Sequence, residues 1–471
     1  MTGPVSRPPR VTPPSFSPPC GPVRGRVDGE VVRVSGIRYA VARRFAAPVA
    51  LPDRPAGSAP LEAVQPAPAC PQGPVPFLDE VLGTRSGELA ADEDCLRLSL
   101  TLPAEVGAGE RLPVMVWIHG GSYVSGAGDL AIMDPKALVA EQRVIVVSVT
   151  YRLGLFGYLG LPAGAGSAGQ GTAGQVPARP ANLGLLDQLA ALRWVQRNIA
   201  AFGGDASNVT AFGQSAGGDA VAHLMATGEA AALFRRAIIQ SAPLGISRGR
   251  ERMTAALAEA ARSAGADDWA AMSAEEIVAR EPSVAAAGRP FGLRGGMPFG
   301  TQYGHDPLPA ESSIEAAWDR VAPSIDVMIG HSAEEARLFV ARVPAISRLA
   351  ALPVVGTGIR RLLVAVATRA VYSRAAARFA RRHVRAGGSA RHYVIDWAAP
   401  GNPYGSAHTI DLPLLFGDEA TWRRAALVAG ASWPELHAQG RRVRALWAAF
   451  ARGDALPRRG RLPGALRHRA V

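Results

Sequence analysis

Two long apolar runs constrain the fold of this chain more than any other feature of its sequence. Residues 112–118 and 143–151 consist almost entirely of β-branched and other apolar residues. Strands inside a mostly parallel sheet are buried on both faces and have this composition, whereas half-buried strands alternate apolar with polar residues. Elsewhere strand patterns alternate with helical ones, such as the stripe of Leu185, Leu189 and Leu192. This alternation predicts a doubly wound α/β sheet in one domain.

The overall composition and the prolines near the N-terminus indicate how the chain is divided into domains. Hydrophobic residues make up 48% of the 471-residue chain and charged residues 19%, which excludes disorder of the whole. The first 22 residues contain eight prolines and no stretch of secretory type. We therefore predict a disordered Pro-rich arm over residues 1–20, a single domain over 21–455 and a basic tail over 456–471.

The sequence also predicts where the protein works. No apolar run reaches the ~18 residues that a membrane span requires, so we expect no transmembrane segment and a cytoplasmic location. The three cysteines, Cys20, Cys70 and Cys95, are too few for a disulfide scaffold and lack the spacing of a zinc site. We expect no metal.

The net charge of +12 has a local origin. Residues 336–395 hold twelve arginines and no acid, so the rest of the chain is balanced. Proteins that bind nucleic acid usually mix Lys with Arg over a whole face, and here a single cation, Lys136, is a lysine. We expect no nucleic-acid partner. The basic segment has helical spacing and is either a solvated helix face or a surface for anionic substrates or weak contact with an anionic membrane.

One short motif indicates a nucleophile. The run Gly213-Gln214-Ser215-Ala216-Gly217 lies between a predicted strand ending at Phe212 and a helix beginning near Ala216. A sharp turn in this context leaves the serine oxygen exposed above the sheet, next to the backbone N–H of the following residue. The pattern alone occurs by chance in chains rich in Gly and Ala, but its position between strand and helix favours a nucleophile elbow at Ser215.

A glycine turn follows the first apolar run. His119-Gly120-Gly121-Ser122 comes directly after the strand that ends at Ile118. Backbone N–H groups converging at such a turn can hold a developing oxyanion, and the alternative is a plain glycine turn. With a nucleophile motif downstream, an oxyanion hole is the better interpretation.

The acid and the base have several candidates. Glu334 and Glu335 both follow a predicted strand at residues 325–329, where a carboxylate can reach a histidine without disturbing the sheet. Nine histidines compete as the base. His223 lies on the same predicted helix as Ser215, eight residues on, and is expected to pair with Asp219 instead.

Long motifs in the chain resemble one family, the type-B carboxylesterases, which include the bacterial para-nitrobenzyl esterases and share their fold with the cholinesterases. The matching runs are VMVWIHGG (Val114 to Gly121), YRLGLFGYLG (Tyr151 to Gly160) and NVTAFGQSAGG (Asn208 to Gly218). The resemblance implies an α/β-hydrolase fold: a mostly parallel central sheet flanked by helices, with helical insertions between the acid and the His. It also implies a triad of Ser, Glu and His in that chain order.

The resemblance assigns roles to particular residues. It favours Glu335 as the acid, because Gly330 and Phe339 match the family pattern around it, although Ala336 replaces the usual glycine and leaves Glu334 open. It implies His408 as the base. The resemblance further implies Gly120, Gly121, Ser122 and Ala216 for the oxyanion hole, Gln214 and Phe299 for the substrate pocket, Arg44 with Glu93 and Arg152 with Asp187 as buried ion pairs, and Cys70 and Cys95 as a pair of close thiols.

These assignments predict a function. We expect hydrolysis of small carboxylic esters through an acyl-enzyme, with neither a metal nor an organic cofactor. The alternatives are an amidase or lactonase with the same triad, or a binding module that has lost catalysis.

Overall fold

The computed structural model describes residues 13–471 except 56, 86, 108, 166–174, 177 and 341–355. Its centre is an eleven-stranded sheet. In chain order the strands are β1 (Arg26–Asp28), β2 (Val31–Arg38), β3 (Arg97–Pro103), β4 (Leu112–Ile118), β5 (Ile145–Val149), β6 (Gly204–Gln214), β7 (Arg236–Gln240), β8 (Asp326–Ser332), β9 (Ala390–Ile395), β10 (Arg459–Leu462) and β11 (Leu466–Ala470).

The order of strands across this sheet is β10-β11-β9-β8-β7-β6-β4-β5-β3-β2-β1. The six strands from β9 to β5 pair in parallel. The strands outside them pair antiparallel on both flanks. The prediction of a mostly parallel central sheet is therefore confirmed.

Helices cover both faces of the sheet. The α-helices of the described residues are α1 (Pro76–Leu82), α2 (Lys136–Gln142), α3 (Gly154–Gly157), α4 (Leu183–Asn198), α5 (Ala216–Leu224), α6 (Ala230–Leu233), α7 (Glu251–Ser263), α8 (Ala274–Val278), α9 (Glu281–Ala286), α10 (Ile314–Val321), α11 (Arg337–Val340), α12 (Gly356–Thr368), α13 (Arg374–Arg385), α14 (Leu412–Leu415), α15 (Glu419–Trp422) and α16 (Trp433–Arg452). A π-helical turn, Arg369–Ser373, joins α12 to α13. Within these bounds no helix combines the length and the apolar composition that crossing a membrane requires.

Strand β4 shows why its sequence is continuously apolar. Val114, Val116 and Ile118 pack into one hydrophobic cluster, and Met115 and Trp117 pack into another. Because successive side chains of a strand point to opposite faces, both faces of β4 are core. Helix α5 packs on β6, which pairs with β4, and on β7. Ser215 joins β6 to α5 and therefore lies at the end of the most buried part of the sheet.

The structure contradicts the predicted basic tail and, for residues 13–20, the predicted disordered arm. The residues expected to form a basic tail, 456–471, contain β10 and β11, and β11 pairs with β9 through five residue pairs. Its basic residues alternate with buried Leu466 and His468, which is the pattern of a strand near the sheet edge rather than of a tail. In the expected arm, Ser15–Phe16 pairs with Val23–Arg24, and residues 1–12 lie outside the described residues.

The two expected ion pairs both form, in different surroundings. Arg152 binds Asp187 with N–O distances of 2.7 and 2.8 Å, and both side chains are buried. Arg44 binds Glu93, but the side chain of Glu93 is 32% exposed, so this pair is not buried as expected. Glu93 lies on a loop before β3, where solvent reaches its carboxylate.

The Cys70 and Cys95 thiols are buried and free. The hydrogen bond to the Cys70 thiol, together with burial, raises the pKa of Cys95 well above its ordinary value. The two thiols are therefore in contact, as expected, without a bond between their sulfur atoms.

Candidate active site

Ser215 occupies a sharp turn between β6 and α5. Its backbone has φ 58° and ψ −123°, a region that L-residues rarely adopt. A hydrogen bond from the Ser215 amide to the carbonyl of Gln240 on β7 (2.8 Å) holds the turn in place. The side chain is 8% exposed, and it lines a cleft at the carboxyl end of the parallel strands.

Glycines allow this turn to pack closely against β4. A Cβ at Gly217 would lie 2.0 Å from the carbonyl oxygen of Ile118, and one at Gly213 would lie 2.5 Å from the carbonyl oxygen of Gly217. No larger residue fits either position without backbone movement. The spacing of glycines around Ser215 is thus a steric requirement of the elbow.

His408 lies within hydrogen-bonding distance of Ser215. Its Nε2 is 2.8 Å from the Ser215 hydroxyl oxygen, and its Nδ1 is 2.5 Å from a carboxylate oxygen of Glu335. With the proton on Nδ1, the ring donates to Glu335 and accepts the Ser215 proton. His408 follows β9 on a loop, and its backbone N–H donates to the Glu335 carbonyl at 3.3 Å.

Glu335, rather than Glu334, faces His408. Its second carboxylate oxygen accepts the Ser332 amide at 2.7 Å, and the side chain is fully buried. Burial alone would raise the pKa of Glu335, but the charge and hydrogen bond of His408, with a hydrogen bond from Ser241, hold it below its ordinary value. The carboxylate therefore stays ionised beside the imidazole.

The neighbouring carboxylate of Glu334 is engaged elsewhere. It accepts two hydrogen bonds from Arg337, at 2.9 and 2.8 Å, and is 38% exposed. The amide of Ser406 also donates to it at 3.3 Å. These contacts direct Glu334 away from the imidazole.

The glycine turn after β4 lies against Ser215. A Cβ at Gly120 would be 3.1 Å from that of Ser215, and Gly121 and Ser122 both have positive φ. In the described part of the chain, the N–H groups of Gly121, Ser122 and Ala216 have no protein acceptor. Free donors grouped beside a nucleophile are what an oxyanion requires.

A cavity of about 330 Å³ opens over Ser215 and His408. Most of its wall is apolar, and the charged residues Asp79, Arg85 and Glu88 are also among the residues that line it. The apolar residues of the wall include Val75, Leu78, Leu82, Leu89, Leu130, Ile132, Met133, Leu338, Phe339 and Leu412. Such a cavity accommodates an apolar acyl or alcohol group next to the hydroxyl of Ser215.

The two residues predicted for the substrate pocket have different positions. Gln214 lines the cavity, and its amide nitrogen is 3.4 Å from Nε2 of His408. Phe299 is only 1% exposed in the main hydrophobic cluster and does not line this cavity. Its ring serves packing, so its placement in the pocket is wrong for this cavity.

His223, which was expected to pair with Asp219 rather than to act as the base, is not in contact with Ser215. Nδ1 of His223 is 3.3 Å from the carboxylate of Asp219, as predicted, and its Nε2 is 2.8 Å from the Tyr303 hydroxyl. Both ring nitrogens are thus occupied away from the elbow.

Two residues near the imidazole had no role assigned to them from the sequence. The ring of Tyr372 lies 5.4 Å from that of His408 and is placed there by the π-helical turn between α12 and α13. Asp411, three residues after His408, is fully buried, and its carboxylate accepts a 2.6 Å hydrogen bond from Gln240. Burial raises the pKa of Asp411 to about 6, opposed by Gln240 and reinforced by Glu335. The sequence did contain a signal for Asp411, because this carboxyl group lies only three residues after the predicted base.

Known proteins with similar sequences identify the family of this chain. The sequence profile described as Carboxylesterase family matches residues 12–351. The chain is 36% identical to a probable N-octanoylanthranilate hydrolase of Rhodococcus erythropolis over 92% of this chain and 91% of that protein. It is 46% identical to the para-nitrobenzyl esterase of Bacillus subtilis over 36% of this chain and 31% of that protein.

Solved structures show the same fold. A thermophilic para-nitrobenzyl esterase matches with a TM-score of 0.76 and 28% identity over 96% of this chain and 94% of that one. A carboxylesterase of Geobacillus stearothermophilus matches with a TM-score of 0.72 and 28% identity over 95% and 92% of the two chains. The α/β-hydrolase fold and the family resemblance are both confirmed. The chain therefore belongs to the carboxylesterase family, enzymes that act on ester bonds.

Proposed function

We propose that the protein hydrolyses carboxylic esters through an acyl-enzyme formed on Ser215. His408 removes the Ser215 proton while the serine oxygen attacks the ester carbonyl carbon. The carbonyl oxygen becomes an oxyanion, held by the N–H groups of Gly121, Ser122 and Ala216. Glu335 orients the imidazole and stabilises the imidazolium that forms.

The tetrahedral intermediate then collapses. The bond from carbon to the alcohol oxygen breaks, and the His408 imidazolium gives its proton to the leaving alcohol. In the second half, His408 takes a proton from water, the hydroxide adds to the acyl carbon, and Ser215 leaves with the proton returned by His408. The products are an alcohol and a carboxylic acid.

One observation carries the proposal. The hydroxyl of Ser215, Nε2 of His408 and the carboxylate of Glu335 form a continuous chain of contacts, 2.8 and 2.5 Å long, at the base of an apolar cavity. A binding module without catalysis has no need of a strained serine in contact with a histidine.

Replacing the nucleophile tests the mechanism. Ser215→Ala should lower kcat for p-nitrophenyl esters by a factor of ~10⁴ to 10⁶, because among the described residues the Ser215 hydroxyl is the only hydroxyl that is hydrogen-bonded to the His408 imidazole. Mass spectrometry after treatment with an organophosphate should place the label on Ser215 in the native chain. A variant that retains a tenth of native activity would overturn the mechanism.

Amide hydrolysis is the second candidate. It is favoured by the Rhodococcus erythropolis relative, whose name denotes an amide between an octanoyl group and anthranilate and which matches 92% of this chain. The same Ser215 and His408 can cleave an amide, provided that His408 protonates the departing nitrogen. We expect the ester to react faster, because an alcohol leaves more readily than an amine.

Matched substrates distinguish the two activities. Octanoyl esters and N-octanoylanthranilate share the acyl group, so the ratio of their kcat/KM values reports on the leaving group alone. A ratio that favours the amide would make amide hydrolysis the main activity.

A further inference from the structure

A second cavity lies beside helix α13, apart from the catalytic cleft. Its volume is about 290 Å³, and none of the described residues that line it also lines the cleft over Ser215. Four arginines contribute to its wall: Arg248, Arg374, Arg378 and Arg382. No step of ester hydrolysis uses this cavity.

Three of these arginines occupy one face of α13. Arg374, Arg378 and Arg382 follow one another at intervals of four residues, which places them in a row on adjacent turns. Like charges at this spacing repel each other and destabilise a helix unless a counterion lies between them.

Two of the four arginines already have carboxylate partners. Arg382 binds Asp319 at 2.6 Å and Glu315 at 2.8 Å. Arg248 binds Glu315 at 2.7 Å and Glu311 at 3.5 Å. These three acids hold Arg382 and Arg248 at the edge of the cavity and neutralise both.

The other two arginines have no carboxylate partner among the described residues. Within the described residues no carboxylate lies within 4.0 Å of Arg374 or Arg378, and every Asp and Glu of the sequence belongs to the described residues. Two guanidinium groups thus face an open cavity without a counterion from this chain. Both side chains are exposed, so an anion that enters the cavity from solvent can reach them.

The rest of the lining is apolar. Trp318 and Phe379 meet edge to face, with ring centroids 5.1 Å apart. The indole N–H of Trp318 already donates to the Ala222 carbonyl at 2.6 Å, and the hydroxyl of Tyr303 is already bonded to His223. What remains for a ligand is an aromatic and aliphatic surface, extended by Leu244.

We propose that this cavity binds a small carboxylate with an apolar body. The carboxylate would lie between Arg374 and Arg378, since guanidinium groups match its two oxygens, and the alkyl or aryl part would cover Trp318 and Phe379. The carboxylate of Glu315, also part of the lining, repels a dianion more than a monoanion. A monoanionic amphiphile therefore fits better than inorganic phosphate.

Calorimetric titration of the full chain with decanoate tests the proposal. We expect saturable binding that the double variant Arg374→Gln/Arg378→Gln weakens at least tenfold. The control variant Arg360→Gln/Arg361→Gln removes the same charge from exposed positions of α12 that do not line the cavity, and it should bind as the native chain does. Decanamide, with the same body and no charge, and inorganic phosphate, with charge and no body, should both bind at least tenfold more weakly.

Several outcomes would overturn the proposal. Equal binding of decanoate by the native chain and the Arg374→Gln/Arg378→Gln variant would place the ligand elsewhere, for instance in the catalytic cleft. Phosphate binding as tight as that of decanoate would reduce the cavity to an anion site. Sedimentation with phosphatidylglycerol vesicles that depends on these two arginines, without decanoate binding, would make the surface a membrane contact. If thermal unfolding shows the double variant to be misfolded, Arg378→Gln alone provides the same comparison.

Discussion

At the scale of single residues, the choice between two adjacent carboxylates decides how the imidazole is oriented. Glu335→Gln should lower kcat by ~10³ to 10⁴, because an amide can stabilise the wrong tautomer of His408 and carries no charge to balance the imidazolium. Glu334→Gln is the matched control, since Glu334 pairs with Arg337 and not with the histidine. Its kcat should stay within a few fold of native. Steady-state kinetics that show the reverse order would assign the acid to Glu334.

Asp411 should make stability depend on pH. Its folded-state pKa, about 6, lies above the ordinary value of 3.8, so the folded chain holds its proton more tightly than the unfolded chain. The cost of ionising this carboxyl in the folded chain is therefore absent below the ordinary pKa of 3.8, grows between about pH 4 and pH 6, and is constant above about pH 6. We expect Asp411→Asn, which cannot ionise, to be more stable than native by roughly 1 to 3 kcal/mol at pH 8.

Urea unfolding at two pH values measures this effect. The advantage of Asp411→Asn should shrink by most of its size at pH 4.5, where the native carboxyl is largely protonated. An advantage that is the same at both pH values would show that packing, rather than ionisation, is responsible.

Some residues of the site could be identified from the sequence and others could not, for a physical reason. Ser215, its glycines and the turn at Gly121 lie in a strand-turn-helix context whose sterics are local and visible in the sequence. The contact of His408 with Glu335 joins residues 73 positions apart, and residue patterns alone left Glu334 open. Which of the two glutamates faces His408 is decided by how the loops that carry them pack in the folded chain.

At the scale of secondary-structure elements, the packing of α5 against β4 depends on Gly217. In Gly217→Ala the new methyl group would lie 2.0 Å from the Ile118 carbonyl, so helix and strand must separate. We expect a loss of stability of ~1 to 3 kcal/mol or more together with a loss of activity, since the amide of Ala216 moves with the helix. Gly228→Ala is the control, because a Cβ there meets nothing within 4 Å.

Thermal unfolding and ester hydrolysis should separate the two glycine variants. Gly228→Ala should keep the native midpoint within a degree or two and the native rate. If Gly217→Ala behaved in the same way, close contact between α5 and β4 would not be what positions the elbow.

The basic segment shows where reasoning from periodicity fails. Its helices form as predicted, but the π-helical turn Arg369–Ser373 adds a residue to one turn and shifts the apolar face that follows. Val366, which precedes this turn, is 56% exposed, whereas Phe379, which follows it, is buried. A constant spacing of 3.6 residues contains no information about such a turn, and Tyr372 was missed for the same reason.

At the scale of the whole molecule, the central sheet was predictable and its edges were not. Buried parallel strands need continuous apolar runs, so β4 and β5 are evident in the sequence. The last two strands of the chain, the edge strand β10 and its neighbour β11, contain arginines that are exposed to solvent, and their composition therefore resembles that of a tail. The pairing of β11 with β9 is a contact of the complete fold, not of the local sequence.

Removing these two strands should destabilise the whole protein. Deletion of residues 458–471 would uncover β9, whose residues Arg391 to Ile395 pair with β11, and would leave its backbone groups without partners. It would also remove the fully buried Leu466 from the core beside α16. We expect a lower unfolding midpoint and aggregation on heating. The control Arg459→Gln/Arg461→Gln keeps both strands while removing charge from the same segment, and its midpoint should be close to native. If the truncated chain unfolded at the native midpoint without aggregating, the pairing of β11 with β9 would contribute nothing to stability, and residues 458–471 would behave as a tail in solution.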